Sequence, residues 1–327
     1  MRVHLSAPTK NRMLSFGYAT AKLGEQLARL VDLAEDPAEA DIQIWMGIPQ
    51  RDMADSYRHI APRFVWYTMC EQTRISPRWV GLFNQDAVLV PCAFCERVFR
   101  SCGVTAPIRV VHFGVDPSEH PFLDRPGRPT YTFFWQGTSL LTDRKCGCLV
   151  EQAFRELDLP DSRLLLKTIP YPGIPFDIRA DDVHQIASWA TPEQVQALDY
   201  EADCFVWPTR AEGFGLLALE KMSTGLPVIC TDWSGPADFL RDDVAIPIRD
   251  YTMQASIYGA KCGQDAKVSL ESLMAKMRWC YENREQAAEI GRAASFYVRH
   301  SWTWQNRTLP QLREALAALD IPLKEAA

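Results

Sequence analysis

The run from Asp203 to Thr231 constrains the fold more than any other part of this 327-residue chain. A buried-strand signal, Asp203-Cys-Phe-Val-Trp207, is followed by Glu212-Gly-Phe-Gly-Leu-Leu-Ala-Leu-Glu220 and then by a second such signal, Leu226-Pro-Val-Ile-Cys-Thr231. Read as strand, loop, helix and strand, it is a unit of a parallel sheet. The spacing predicts a helix opening near Gly215. Its first N–H groups lack intrahelical partners and the helix dipole is positive there, so the terminus attracts anions. Glu220 lies about 7 Å farther along the axis at about 1.5 Å per residue. That offset suits a ligand with phosphate at the helix start and a polyol beyond it.

Strand-like and helix-like runs alternate along the whole chain, the pattern of α/β layers around parallel sheets. In the first part, strands are expected over 2–5, 42–45, 64–68, 87–90 and 109–112, with helices over 18–33 and 93–102. A stretch rich in Pro and charge, 117–129, interrupts the pattern and reads as an interdomain linker. The second series expects strands over 131–135, 163–167, 204–207, 227–231 and 244–248. Helices are expected over 148–157 and 192–202, from Pro236, and from about residue 269 onward. The architecture is therefore read as two Rossmann-like parallel-sheet domains facing a central cleft, 1–118 and 131–300, joined by 119–130. Ligands of such sheets bind beyond the carboxyl ends of the strands.

A composition of 47% hydrophobic and 23% charged residues is that of a globular protein. The formal charge of −6 gives no general pull toward nucleic acid or anionic lipid. The first thirty residues differ, with Arg2, Lys10, Arg12, Lys22 and Arg29 against Glu25 alone. That basic face would serve a peripheral membrane contact or a modified nucleic-acid acceptor. No apolar run reaches membrane-spanning length and the first residues lack a signal-peptide core, so a cytoplasmic location is expected. Ten cysteines in that setting read as reduced thiols. Cys92-Ala-Phe-Cys95 and Cys146-Gly-Cys148 have no matching His cluster, the six histidines show no metal spacing, and no Asp-x-Asp occurs, so no metal is expected.

Glu212 follows the end of a strand, where a charge is poised over a cleft, and Glu220 is embedded in an apolar run. Carboxylates so placed mark functional sites more often than solvated surface. Gly213 and Gly215 allow a ligand close to the backbone, and Thr231-Asp-Trp-Ser-Gly-Pro-Ala-Asp238 repeats the device at the next strand end. Lys145, after the second domain's first strand, can neutralise a diphosphate with help from Arg144. Gly17 precedes the first long helix and can bring N–H groups toward the same phosphates. A competing reading is an NAD-dependent oxidoreductase, since Gly213-x-Gly215-x-x-Ala218 matches the dinucleotide fingerprint and Asp232 stands near the ribose-binding acid. Five residues between Trp207 and Gly213 count against it, because that turn needs its glycine directly after the strand.

Together the Glu-x7-Glu block Glu212 to Glu220, Gly225-Leu-Pro-Val-Ile-Cys-Thr-Asp-Trp-Ser-Gly-Pro236, Val110-Val-His-Phe-Gly-Val-Asp116 and Tyr67-Thr-Met-Cys-Glu-Gln-Thr73 resemble the retaining glycosyltransferases of family 4. The resemblance is carried mainly by residues 85–305 and implies the GT-B fold, with residues from Ser301-Trp302 to 327 forming a helix that crosses back to the first domain. It also implies a nucleotide-diphosphate sugar as donor, with no metal or other cofactor. Glu212 and Lys145 would then act at the reacting sugar and its diphosphate. Phe214, Gly215 and Leu216 would offer backbone N–H groups, Glu220 would hold the ribose, and Gly17 and Arg144 would assist. The base would lie against the loop near residues 186–190, which carries Ser188 and Trp189, before the helix at Pro192. Glu71 and Arg74 are acceptor-side candidates. The acceptor would be a glycan, a lipid-linked or small-molecule hydroxyl, or a modified nucleic acid. Three departures stand out: the first domain, the acceptor-binding one in the family, is short, Gly137 is followed by Thr138 where the family commonly has Arg, and the first-domain histidine has no counterpart around Trp45-Met-Gly-Ile-Pro49. A catalytically inactive GT-B scaffold is the reading that follows from those losses.

Overall fold

Near-continuous apolar runs such as Ile42-Gln-Ile-Trp-Met46 and Tyr131-Thr-Phe-Phe-Trp-Gln136 can be buried only in strands covered on both faces, which is the environment of a parallel sheet. The computed structural model describes residues 1–8, 15–49, 60–137, 144–169, 179–180, 182–187 and 190–324. The chain forms two compact units.

The first unit comprises Met1–Gly114, Tyr258–Gln264 and Ser301–Ala327. Its strands are β1 (Arg2–Ser6), β2 (Asp32–Leu33), β3 (Ile42–Met46), β4 (Arg63–Tyr67), β5 (Ala87–Val90) and β6 (Ile108–Val110). They lie in the order β2-β1-β3-β4-β5-β6, all parallel. Helices α1 (Ser15–Ala28), α2 (Pro77–Phe83) and α3 (Ala93–Ser101) connect them. The helix expected over 18–33 begins earlier and ends at Ala28, and Asp32–Leu33 becomes an edge strand paired with β1. The chain is drawn off the helix by the bond from Ala34 N to Val3 O at 2.9 Å, with Leu30 and Val31 buried beneath the turn. Two exposed strand residues carry no alternation, so nothing in the sequence announces them. Cys92 and Cys95 lie buried at the start of α3, their sulfurs 3.4 Å apart.

Residues from Ser301 onward fold with this first unit, through a π-helical turn at Trp304–Thr308 and helix α9 (Leu309–Ala318). Contact is close: a Cβ on Gly114 would stand 2.2 Å from the Trp304 backbone nitrogen. His112 N donates to Gln311 Oε1 at 2.9 Å, Thr308 Oγ1 donates to His112 O at 2.8 Å, and Arg63 Nη2 donates to Leu319 O at 2.6 Å.

The second unit comprises Val115–Ile257 and Asp265–His300. Its strands are β7 (Tyr131–Gln136), β8 (Ser162–Thr168), β9 (Arg179–Ala180), β10 (Val183–Ala187), β11 (Cys204–Trp207), β12 (Val228–Thr231) and β13 (Ile246–Ile248). The order is β13-β12-β11-β7-β8-β10-β9, parallel except for the edge strand β9. Helices α4 (Gly147–Leu157), α5 (Pro192–Glu201), α6 (Leu216–Ser223), α7 (Leu270–Glu282) and α8 (Arg284–Ser301) complete the unit. A separate pair, β14 (Tyr251–Ala255) with β15 (Gln264–Val268), follows β13 and has no counterpart among the expected strands. The helix expected from Pro236 is a single 3-10 turn, Gly235–Asp238, because Phe239 turns into the core directly after it.

The Pro-rich stretch expected as a linker folds with the second unit. Arg125 ties it down, donating from Nε to Asp199 O at 3.0 Å and from Nη1 to Thr224 O at 2.9 Å. Burial lowers this guanidinium to about 10. Strand order in this sheet runs outward in both directions from the neighbours β7 and β11. Their carboxyl ends are therefore the topological switch point, where the loops diverge and leave room for a ligand.

Candidate functional site

The loops after β7 and β11 are fastened to each other at that switch point. Arg210 N donates to Arg144 O at 2.6 Å, and Thr209 Oγ1 lies 3.2 Å from the same oxygen. Trp135 Nε1 donates to Lys145 O at 2.9 Å, and Trp207 Nε1 donates to Gln136 O at 3.2 Å. The strand-borne tryptophans thereby hold the backbone of the cationic loop. Lys145 Nζ rests 4.3 Å from the Trp207 ring centroid, a cation–π distance.

Glu212 is the hub. Its Oε1 accepts from Arg144 Nη1 at 2.5 Å, Lys145 Nζ at 2.8 Å and Thr209 Oγ1 at 3.0 Å, while its own N–H donates to Ser234 Oγ at 2.8 Å. Burial pushes this carboxyl up, but Arg144, Lys145 and the bonds from Lys145 and Thr209 outweigh it, and the net direction is below the ordinary glutamate value. Among the described residues no side chain donates to Oε2. Arg144, which the sequence left between a ligand contact and solvent, is largely buried and faces Glu212.

Gly215 caps α6 at φ 99°, a left-handed conformation that favours glycine. The turn is set by close packing, since a Cβ on Gly235 would stand 2.4 Å from Phe214 Cα. Gly235 N donates to Glu212 O at 3.1 Å, so the loops after β11 and β12 also form one piece. Phe214 is buried with its ring 5.7 Å from that of Phe239, and α6 starts at Leu216. Ala218 N already donates to Gly215 O at 3.1 Å, so the N–H groups that helix geometry leaves without intrahelical partners are those of the residues before it. They stand directly after the Glu212 loop.

Glu220, on the second turn of α6, has a different setting. Among the described residues its carboxylate accepts no hydrogen bond; the His120 imidazole is close by, with Nε2 3.6 Å from Oε1. Burial holds this carboxyl above the ordinary value against the pull of His120 and Lys221. The next residue, Lys221, turns inward and pairs with Asp199 of α5 at 2.6 Å, with both side chains almost fully buried. That pair fixes α6 against α5 and keeps Glu220 on the outer side.

Other expected residues lie apart or outside the described region. Gly17 is the third residue of α1, not a residue before it, because the helix already begins at Ser15. Its N–H still belongs to the first turn. Glu71 and Arg74 sit in the segment after β4, at the carboxyl edge of the first sheet, with Arg74 N donating to Cys262 O at 3.2 Å. Thr138, Ser188 and Trp189 fall outside the described residues. His120, Thr209, Ser234 and Asp199 were not anticipated. No local signal could find His120, because its partner is 100 positions away. Asp232, the acid that the dinucleotide reading requires, is engaged by Arg249 Nε at 2.7 Å, and eight residues separate Trp207 from Leu216.

Residues 180–309 match the family model described as GT4-conflict, Family 4 Glycosyltransferase in conflict systems. No curated protein matches the chain by sequence. Among solved structures, sucrose-phosphate synthase from Thermosynechococcus elongatus is similar at 13% identity and a TM-score of 0.69, covering 98% of this chain and 100% of its own. A glycosyltransferase from Rickettsia africae gives 12%, 0.68, 97% and 98% for the same quantities. HepE from Anabaena, solved with UDP and glucose, gives 13%, 0.65, 98% and 99%. These likenesses establish the fold as GT-B. Among the described residues, no helix is long and apolar enough to cross a membrane.

Proposed function

We propose that this chain, a family 4 glycosyltransferase by residues 180–309 and a GT-B protein by its fold, moves a sugar from a nucleotide-diphosphate donor to a hydroxyl acceptor. The transfer proceeds with retention and without a metal. One observation carries this reading: Arg144 and Lys145 converge on a single oxygen of Glu212, directly beside the start of α6 at the switch point. Two cations against one carboxylate leave a net positive charge, and the helix terminus adds to it. That charge suits a diphosphate and gives its departure the stabilisation that developing charge requires.

In the reaction the bond between the sugar's anomeric carbon and the β-phosphate oxygen breaks. The acceptor oxygen bonds to that carbon on the same face, and its proton passes to the leaving diphosphate. Lys145, Arg144 and the α6 N–H groups hold the diphosphate. Glu212 keeps the two cations in place through Oε1 and offers Oε2 to a sugar hydroxyl. Glu220 accepts from the ribose, and Ser188 and Trp189 contact the base. Gly17 contributes backbone N–H groups, and Glu71 and Arg74 contact the acceptor. A glycan hydroxyl is the first acceptor class to test.

UDP, GDP and ADP should be screened by thermal shift, and the matching nucleotide sugars by donor hydrolysis and by the anomeric proton coupling of the product. At least one diphosphate should raise the melting temperature, Glu220→Ala should remove most of that shift, and the product should keep the donor's anomeric configuration. If none of the three diphosphates shifts the melting curve and Glu220→Ala binds and hydrolyses like the parent, the reading is wrong.

A further inference from the structure

We infer that His120 is a second ribose-binding residue, forming with Glu220 a donor–acceptor clamp for the vicinal diol of the nucleotide. This rests on the proposed role of Glu220 and assigns it a partner.

His120 Nε2 and Glu220 Oε1 are 3.6 Å apart, beyond hydrogen-bond reach, so neither group is spent on the other. Their side chains keep 22% and 16% of their exposure, enough for a ligand to reach them while bulk water is mostly excluded. A hydroxyl between them can donate to the carboxylate and accept from the imidazole N–H. Its vicinal neighbour can donate to the other carboxylate oxygen. Glu220 cannot do both, because a carboxylate only accepts. Of the other charged groups around Glu220, Asp199 and Glu119 oppose its charge and Lys221 favours it, but Lys221 is committed to Asp199. An imidazole N–H is thus the donor available at this edge of α6.

The backbone that carries the imidazole is fixed. His120 N donates to Asp116 O at 3.0 Å, and Ser223 Oγ donates to His120 O at 2.7 Å. Ser295 Oγ in turn donates to Ser223 O at 2.6 Å, and Leu123 N donates to Thr224 O at 3.1 Å. The segment that begins the second unit is therefore fastened to the end of α6, one turn beyond Glu220. A donor fixed in this way loses little freedom when ligand arrives.

The test measures the affinity of the tightest binder among UDP, GDP and ADP, alongside its 2′-deoxy and 3′-deoxy analogues, on the full chain. The parent should prefer the ribo form. His120→Ala should weaken the ribo form by about 3- to 10-fold and leave one deoxy form nearly unchanged. His120→Gln, which can return an N–H near the Nε2 position, should restore part of the preference. If His120→Ala melts early, His120→Phe removes the donor while keeping a ring in the same volume. Loss of the preference in Glu220→Ala, with the full preference kept in His120→Ala or His120→Phe, overturns the clamp alone. An unchanged preference in Glu220→Ala overturns the role of Glu220 and the clamp with it.

Discussion

Glu212→Gln and Glu220→Gln should move the melting temperature in opposite directions, although both replace a carboxylate with an amide of the same shape. At Glu212 the charge answers two largely buried cations, at 2.5 and 2.8 Å. Removing one partner of a buried pair costs about 3–5 kcal/mol. The amide oxygen still accepts from Thr209 and from one cation, so the lower end, about 3 kcal/mol, is expected. For a unit of this size that corresponds to a loss of about 6–12 °C. Glu212 has its folded value below the ordinary glutamate value of 4.5. Its contribution is present above that ordinary value and is lost as pH falls through the lowered one. The gap between parent and variant should thus be full at pH 7.5 and shrink below pH 4.5.

Glu220 has the reverse sign. Its folded value is raised by burial, so the folded state holds the proton more tightly than the unfolded chain does. Stability falls as pH rises from the ordinary value through the raised one, and at neutral pH the carboxylate is a cost that the amide removes. Glu220→Gln should melt at or above the parent while binding the nucleotide diphosphate more weakly, as expected where a binding group is kept at the expense of stability. Scanning calorimetry or fluorescence melts of the three proteins from pH 7.5 to pH 4 decide the matter. A Glu212→Gln melt within 2 °C of the parent at pH 7.5, or a gap that widens toward pH 4, would refute the reasoning, as would a Glu220→Gln protein that melts below the parent at neutral pH.

Two structural predictions accompany it. Gly235→Ala should destabilise the second unit by more than about 3 kcal/mol, because the new Cβ would stand 2.4 Å from Phe214 Cα and backbone cannot yield cheaply; a shift in the urea midpoint measures it. Lys221→Met should cost about 3–5 kcal/mol by leaving Asp199 buried without its cation, and Lys221→Met with Asp199→Leu should recover much of that loss, read from the melting temperatures of the single and double variants.

The strands with near-continuous apolar runs were legible because a parallel sheet buried on both faces demands them: β5 and β11 match their expected limits residue for residue, and β7 differs by one. The two-residue β2 and the β14–β15 pair were not, since short strands of mixed polarity carry no clear period. The helix expected at Pro236 failed for another reason. Proline fixes one dihedral angle and can start a turn, but only the packing of Phe239 decides whether the turn continues.

At the site, the sequence by itself determined the parts with local signatures. The strand–loop–helix–strand spacing placed Glu212 and Gly215 at a helix start, and the position of Lys145 after β7 put a cation at a strand's carboxyl end. Tertiary structure alone decided what those groups do to one another. The register of β7 beside β11 brings residues 144 and 145 to residue 212, so the carboxylate that reads as available in the sequence is occupied by both cations. The same folding leaves Glu220 without a hydrogen-bond donor among the described residues and sets His120, 100 positions earlier, beside it. Periodicity and capping are local and can be read along the chain. The partner of a charge is settled by which strands become neighbours, and that depends on the core as a whole.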